Sequence, residues 1–457
     1  MLSHKPMVPL AFALLAAVAL PRESPAQTDS STLHATIEGW ADRTWLLLLD
    51  RGAANGGRLT DRGILLRFDE NIDAEYWLDD ISSRPGMTEE FEWWQRSNGA
   101  RYWGGSINHL RAFAGGDFKG AVPLGRGWTA DARFTVEEYV PLQRALARLR
   151  FSKQWHSGLF AFFDGTVLPS KPEMDLTLGV GWRTRTLTAS ASFTALDVFN
   201  DAIFEGLGVF PGFSDTAVAY RSPPSALRGT IEWSAVTRLR LQLDAAYVLS
   251  SDYRAFQQVA PDSGFSQQEE FGFVAGLVEV AIAPRLRLGG TATYLRAASD
   301  RRPLPQGDPA GDYVLTERTT RLGLFGLVDL GERWRGEAWV IREFRPESRV
   351  NRSGLAPDVD YEDRSWLGQV MFGYRPPSGF RAAAAFEMDL RDVLRGEGQV
   401  PKGQSLNHPG TRLRLDIGWN FADRFRLIGG YRIDLDGDDY SAGDWWDGAH
   451  GQFVMYW

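Results

Sequence analysis

Residues 411–457, TRLRLDIGWNFADRFRLIGGYRIDLDGDDYSAGDWWDGAHGQFVMYW, decide how the rest of the chain is read. From Leu413 every second residue is apolar (Leu415, Ile417, Trp419, Phe421), while Arg412, Arg414, Asp416, Gly418 and Asn420 lie between them. That is the period of a strand with one apolar and one polar face. A two-residue turn at Asp423-Arg424 follows, and the alternation resumes with Phe425, Leu427, Gly429, Tyr431, Ile433 and Leu435 opposite Arg426, Gly430, Arg432 and Asp434. Strands of about 10 to 13 residues with aromatics near their ends have the dimensions of a membrane-crossing strand. The stretch closes on Gly451, Phe453, Met455 and Trp457, an apolar series at every second position ending in an aromatic.

The other end of the chain carries the pattern of an export leader. Lys5 supplies charge, Met7 to Leu20 an apolar run and Ser24-Pro25-Ala26 a small-residue cleavage site, so residues 1–26 are expected to be removed. The run is short for a bilayer anchor, which needs about 20 residues. Lys5, Arg22 and Glu23 fall in the leader. Subtracting them from 50 basic and 58 acidic residues leaves 48 against 57, a formal charge of −9, which argues against nucleic-acid binding. Cysteine is absent, which excludes disulfides and thiol chemistry. Glycine (48) and tryptophan (17) are abundant, as amphipathic strands around a wet interior require.

Turn signals then recur along the chain without any linker to divide it. Short turns are predicted near Gly125-Arg126-Gly127, His156-Ser157, Arg183 to Arg185, Thr237-Arg238, Pro284-Arg285, Glu332-Arg333, Pro376 to Gly379 and Asp423-Arg424. Longer polar connections are predicted at Asn200 to Pro224, Ser251 to Gln268, Ala298 to Leu315, Pro346 to Asp360, Leu394 to Pro409 and Asp436 to Gly448. With the leader and the terminal Phe453, Met455 and Trp457, this alternation resembles Gram-negative outer-membrane β-barrels of the porin-like kind, over nearly the whole mature chain. The resemblance implies an all-β, antiparallel, up-and-down transmembrane barrel with short periplasmic turns and long extracellular loops. It also implies that Phe453, Met455 and Trp457 act as the insertion signal read by the barrel-assembly machinery.

Counting back from Trp457 gives 17 strands to about Asn108, and Ile64 to Leu78 is expected to supply one more, for about 18 (16–20). Three segments are expected: the leader 1–26, an N-terminal segment 27–105 holding the first strand or strands or a periplasmic or plug element, and the barrel 106–457. Leu176, Leu178, Val180 and Trp182, and Phe380, Ala382, Ala384, Phe386 and Met388, are expected to face lipid. The register of Phe271 to Ala283 stays undecided, because both of its faces are apolar except at Glu279.

Charge on the inward face supplies the candidate site. Arg240, Arg287, Arg335, Arg381 and Arg426 each begin an ascending strand and, with Arg183, are expected to form a basic arc in the lumen. Asp244, Glu337, Glu387, Asp389 and Asp434 are lumen acids further up, and Arg144, Arg148 and Arg150 form a basic ladder beside Asp131, Arg133 and Glu137. Such side chains can select among ions. They can equally pair with acids across neighbouring strands and only satisfy the wall. The apolar loop Val198 to Phe213, with Phe199, Phe204, Phe210 and Phe213, is expected to fold inward as a constriction. Trp77, Trp93, Trp94 and Trp103 offer stacking surfaces for sugars or girdle residues. The acidic loop at Asp436 to Asp447 lacks a calcium-loop template, and the histidines lie in no metal-ligand spacing.

The function expected is a channel for passive or facilitated diffusion of small polar or anionic solutes, without cofactor or metal. A surface-binding or assembly barrel with an occluded lumen, for example one associated with polysaccharide, is the alternative. A barrel hydrolase comes third, since a Ser-His-acid set can assemble across strands unannounced by sequence.

Overall fold

Each strand takes its partners almost entirely from its neighbours in sequence, and the last strand pairs with the first. A computed structural model describes residues 98–457, except 108–110, 140–141, 168–173, 197, 199–215, 223–224, 237, 258–259, 356, 398–399, 422–423 and 436–445. The strands of the first half are β1 (Gly99–Ile107), β2 (Arg111–Gly125), β3 (Trp128–Tyr139), β4 (Leu142–Gln154), β5 (Leu159–Val167), β6 (Met174–Arg183), β7 (Leu187–Ala195), β8 (Thr216–Ser222) and β9 (Ser225–Val236). Those of the second are β10 (Leu239–Gln257), β11 (Ala260–Ala283), β12 (Leu286–Pro303), β13 (Tyr313–Asp329), β14 (Trp334–Asn351), β15 (Val359–Tyr374), β16 (Phe380–Glu397), β17 (Val400–Phe421), β18 (Phe425–Asp434) and β19 (Trp446–Tyr456). All belong to one sheet, every pairing is antiparallel, and β1 joins β19 on one side to β2 on the other, which closes the ring. The only helical element among the described residues is a single 3-10 turn, Pro309–Gly311.

Three expectations change. The described strands number nineteen rather than about 18, because the descending stretch before β10 is two strands placed end to end. β9 pairs with the first half of β10 (Leu239 to Leu249) and β8 with the second (Asp252 to Gln257). Pro223-Pro224, which offer no amide hydrogen to a ladder, stand between them in the sequence. The ring is closed by Gly99–Ile107, so the barrel begins before residue 106; Ile64 to Leu78 lies outside the described residues. Ser251 to Gln268 and Leu394 to Pro409, read as loops, are mostly strand, since β10 runs to Gln257, β11 starts at Ala260, β16 runs to Glu397 and β17 starts at Val400. Polar residues there pair across strands that have risen past any apolar belt, so both faces are polar and the period of two is hidden.

Wall height is therefore uneven. β5 and β7 have nine residues each, β11 has 24 and β17 has 22. Connections at residues 126–127, 155–158, 184–186, 284–285, 330–333 and 375–379 share the end at which Trp457 lies, called here the turn end.

The outward face is a continuous apolar band. Leu178, Val180, Leu324, Phe372 and Ile417 are all more than half exposed. Trp128, Trp155, Trp182, Trp334, Trp419, Phe421 and Phe425 ring its turn end, also exposed. Trp334 meets Tyr374 at 4.6 Å, and Phe425 meets Phe453 at 6.1 Å, each across neighbouring strands. A band of this extent is stable in lipid rather than water. Closure through β1 leaves the described ring without a free edge at the level of this band.

The inward face is polar on one side and mixed on the other. In β11, Val274, Val278, Val280 and Ile282 point outward, whereas Phe271, Phe273, Ala275, Leu277 and Glu279 are buried on the inside, which settles its register. Leu277, Phe325, Trp339, Ile341, Met371 and Ala385 form one inward apolar cluster; Phe271, Phe273, Ala246, Val248 and Ala297 belong to another. The uniformly wet interior expected from sequence is thus restricted to the opposite wall.

Candidate lumen site

β5, with the sequence LFAFFDGTV, places aromatics on both of its faces. Leu159 and Phe163 are exposed outward, while Phe160, Phe162, Asp164 and Thr166 take the inward positions. Phe160 pairs in register with Gly181 of β6, and Phe162 with Gly179. A methyl group on Gly179 would fall within 2.1 Å of the Phe162 ring, and one on Gly181 within 2.3 Å of the Phe160 ring. The two glycines are therefore what allows both rings to lie down against the wall. The rings are nearly parallel, 6.4 Å between centroids and 21° between planes.

Cations surround this floor. Arg150 of β4 donates to Asp164 Oδ2 from Nη2 at 2.6 Å and from Nε at 2.9 Å, with its guanidinium carbon 4.4 Å above the centroid of Phe162. Arg183 stands 5.4 Å from the centroid of Phe160. Both distances are within range for a cation over an aromatic face. Arg228 of β9 is held by Asp244 of β10 at 2.6 Å. Arg133 of β3 and Arg148 of β4 are direct partners across the ladder. Like charges so placed repel one another, and Asp131 lies near enough to Arg148 to offset part of that.

The space enclosed between β2 and β9 is a cavity of about 850 Å³. Its lining carries seven cations, Lys119, Arg133, Arg148, Arg150, Lys153, Arg183 and Arg228, against the two carboxylates of Asp131 and Asp164 and that of Asp244 behind Arg228, an excess of four. Lys153 lies at its turn end, over Trp128 at 5.5 Å. Hydroxyls fill the intervals: Thr177 bonds Thr194 at 2.9 Å and Ser190 bonds Thr230 at 2.6 Å. The chamber thus combines fixed positive charge, neutral donors and a strip of apolar floor.

The residues singled out from sequence divide between this chamber and the wall. Arg148 and Arg150 of the ladder and Arg183 of the arc line the chamber; the side chain of Arg144 lies outside the described set. The other arc arginines are set beside partners on the next strand. Arg240 meets Glu232 at 2.5 Å, Arg287 meets Glu279 at 4.0 Å, Arg335 meets Asp329 at 3.3 Å, and Arg426 Nε donates to Asn420 Oδ1 at 2.9 Å. Arg381 takes an inward position in β16, away from the chamber. Of the lumen acids, Asp244 holds Arg228, Glu337 is buried two positions along from Arg335, and Glu387 accepts from Gln369 at 3.0 Å and from Arg414 at 3.4 Å. Asp389 and Asp434 belong to β16 and β18, but their side chains, like Phe199, Phe204, Phe210 and Phe213, lie outside the described residues. Phe453 is exposed on the outer face, and Trp457 packs against Phe118 at 5.1 Å between ring centroids. Phe160 and Phe162 were missed; in FAFFDG both share the parity of Asp164, and that spacing is the signal that could have found them.

No protein-family model matches the chain, and no curated protein matches it. Among solved structures, the outer membrane channel DcaP of Acinetobacter baumannii is similar at 11% identity and a TM-score of 0.35, covering 78% of this chain and 96% of that one. OccAB3 of the same organism is similar at 8% identity and a TM-score of 0.39, with 78% and 96% covered. The outer-membrane expressed OmpT of Vibrio cholerae is similar at 12% identity and a TM-score of 0.33, with 79% and 98% covered. Likeness at this level adds nothing about activity. The closed antiparallel ring, lipid-facing band and aromatic girdle define the class: a transmembrane β-barrel of the outer-membrane type.

Proposed function

We propose that this protein is an outer-membrane channel through which small polar solutes diffuse, anions in preference to cations, along the wall built from β2 to β9. The observation that carries the reading is the excess of four positive charges around the 850 Å³ chamber, with Arg133 directly opposite Arg148. Positive side chains concentrated in a low-dielectric enclosure raise the local concentration of anions. In this reading the turn end faces the periplasm, the loop end faces outward, residues 1–26 direct export, and the outward Phe453, Met455 and Trp457 present the strand to the assembly machinery. The protein is not an enzyme and uses no cofactor. Reconstitution of the full mature chain into a planar bilayer under a KCl gradient tests it. Stepwise conductance with a reversal potential on the chloride side is expected; cation preference, or no conductance, overturns it.

A second reading, a surface-binding barrel with a filled lumen, is favoured by one observation. Leu277, Phe325, Trp339, Ile341 and Met371 are buried although they face inward, whereas a fully wet lumen would leave such side chains in water. Absence of conductance in the same bilayers, retained after residues 27–97 are deleted, would select it.

A further inference from the structure

The chamber holds more than fixed charge, and the rest of its lining narrows the solute. A diffusion path for inorganic anions needs cations and hydroxyls only. Phenyl rings in an aqueous lumen cost hydration free energy, and two adjacent ones require two glycines on the next strand to make room. Phe160 and Phe162 pave the wall at 6.4 Å centre to centre and 21° between planes. Each has a guanidinium within 5.5 Å of its centroid. Asp164 fixes Arg150 in place over Phe162, so the cation is held where the rings are rather than swinging through the lumen. Arg183, more exposed, stands at the turn end of the same strip. Apolar planar surface bordered by positive charge complements a solute that is itself a flat ring carrying an anionic group.

We propose that the strip formed by Phe160 and Phe162, with Arg150 and Arg183, is a subsite for small aromatic carboxylates, whose ring stacks against Phe160 and the Arg150 guanidinium plane that lies over Phe162 while the carboxylate meets the guanidinium N–H groups. This rests on the anion-preferring channel reading for its access route, but it concerns binding and is measurable without current. Offset stacking on an aromatic surface adds to what area burial alone provides, so a planar ring should gain over a saturated ring of the same charge by about three- to tenfold.

The test uses the full mature chain in detergent, titrated calorimetrically with benzoate and, separately, with cyclohexanecarboxylate. Benzoate is expected to bind at least about threefold more tightly. The double variant Phe160→Leu, Phe162→Leu should bring the two affinities within twofold of each other. Phe162→Tyr, which keeps the ring, should retain the preference and guards against a folding defect in the double variant. Equal affinities in the wild type, no benzoate binding, or a preference that survives loss of both rings overturns the subsite. A barrel that conducts anions without preferring benzoate sinks only this inference; one that prefers benzoate without conducting sinks only the channel.

Discussion

Arg133 and Arg148 are the most informative pair to neutralise, because they stand face to face and both line the chamber. Changing both to Gln halves the excess of positive charge in the chamber, from four to two. An anion passing at about 6 Å in water gains about 0.7 kcal/mol from each charge, reduced to about 0.4 kcal/mol by salt at about 0.1 M. For two charges the anion loses about 0.8 to 1.4 kcal/mol and the potassium ion is relieved of as much, a shift of about 1.6 to 2.8 kcal/mol, or about 15- to 110-fold, in the chloride-to-potassium permeability ratio. Reversal potentials under a KCl gradient report that ratio directly. The fall should be larger at low salt. Arg240→Gln, outside the chamber lining on the adjoining β10 and paired with Glu232, supplies the comparison and should change the ratio less. A double variant with unaltered selectivity, or an effect matched by Arg240→Gln, would falsify the assignment of the conducting path to the β2–β9 wall.

Arg150→Met should destabilise the folded barrel by about 3 kcal/mol, because it strips buried Asp164 of its partner; tryptophan fluorescence during urea unfolding in lipid checks this, and the companion change Asp164→Asn should recover part of the loss. In the β2–β3 turn, Gly125 (φ +87°) has open space where a methyl would go, whereas at Gly127 (φ +80°) a methyl would fall 2.4 Å from the Gln154 carbonyl oxygen. Gly125→Ala should therefore cost about 1 kcal/mol, and Gly127→Ala clearly more, read as the temperature at which the folded band is lost on a gel. At the loop-end rim, Arg352 bridges Asp300 and Asp312 at 2.7 Å each. Asp300 is 14 residues from the start of β12, past the 9 to 11 or so that span a bilayer. Hydrogen bonds from Arg352 hold the Asp300 carboxyl below its ordinary range. Its contribution is therefore intact above the unfolded value of about 3.9 and is lost only as pH falls through the lower folded one. Amide exchange over residues 300–312, corrected for intrinsic rates, should be level from pH 7 to 5 and rise below about 4, while Arg352→Gln should raise it already at pH 7.

Where one face meets lipid and the other meets water, the sequence is read without difficulty. Leu178, Val180 and Trp182 alternate with Thr177, Gly179 and Gly181, and the structure turns them outward as that pattern demands. Legibility fails wherever the two environments converge. β11 carries Phe271, Phe273 and Leu277 inward against other apolar side chains, so its two faces have the same composition and period carries no direction. Above the apolar band both faces of β10, β11, β16 and β17 are polar, and paired strand looks like loop. The chamber was half visible for a related reason. Arg148, Arg150 and Arg183 announce themselves by charge, but which arginines share a space depends on which strands stand opposite one another. Arg240, Arg287, Arg335 and Arg426 begin strands at the same end of the barrel at which Arg183 closes one, and they finish beside wall partners.

β1 carries an obligation that no other strand has. It is nine residues long, three of them glycine (Gly99, Gly104 and Gly105), and it must zip simultaneously to β2 and to the terminal β19, with Gly99 opposite both Lys119 and Tyr456. Every other hairpin can form from residues close in sequence, whereas the β1–β19 suture draws together the two ends of the described chain and bears the largest loop-closure entropy. Until it fastens, β19 has a bare row of amide and carbonyl groups in a medium with no water to satisfy them. The nascent sheet must therefore be chaperoned along that margin. The same margin is where a second polypeptide could be stitched in by mistake, and a lateral exit from the lumen there would part nine paired positions, against sixteen between β12 and β13.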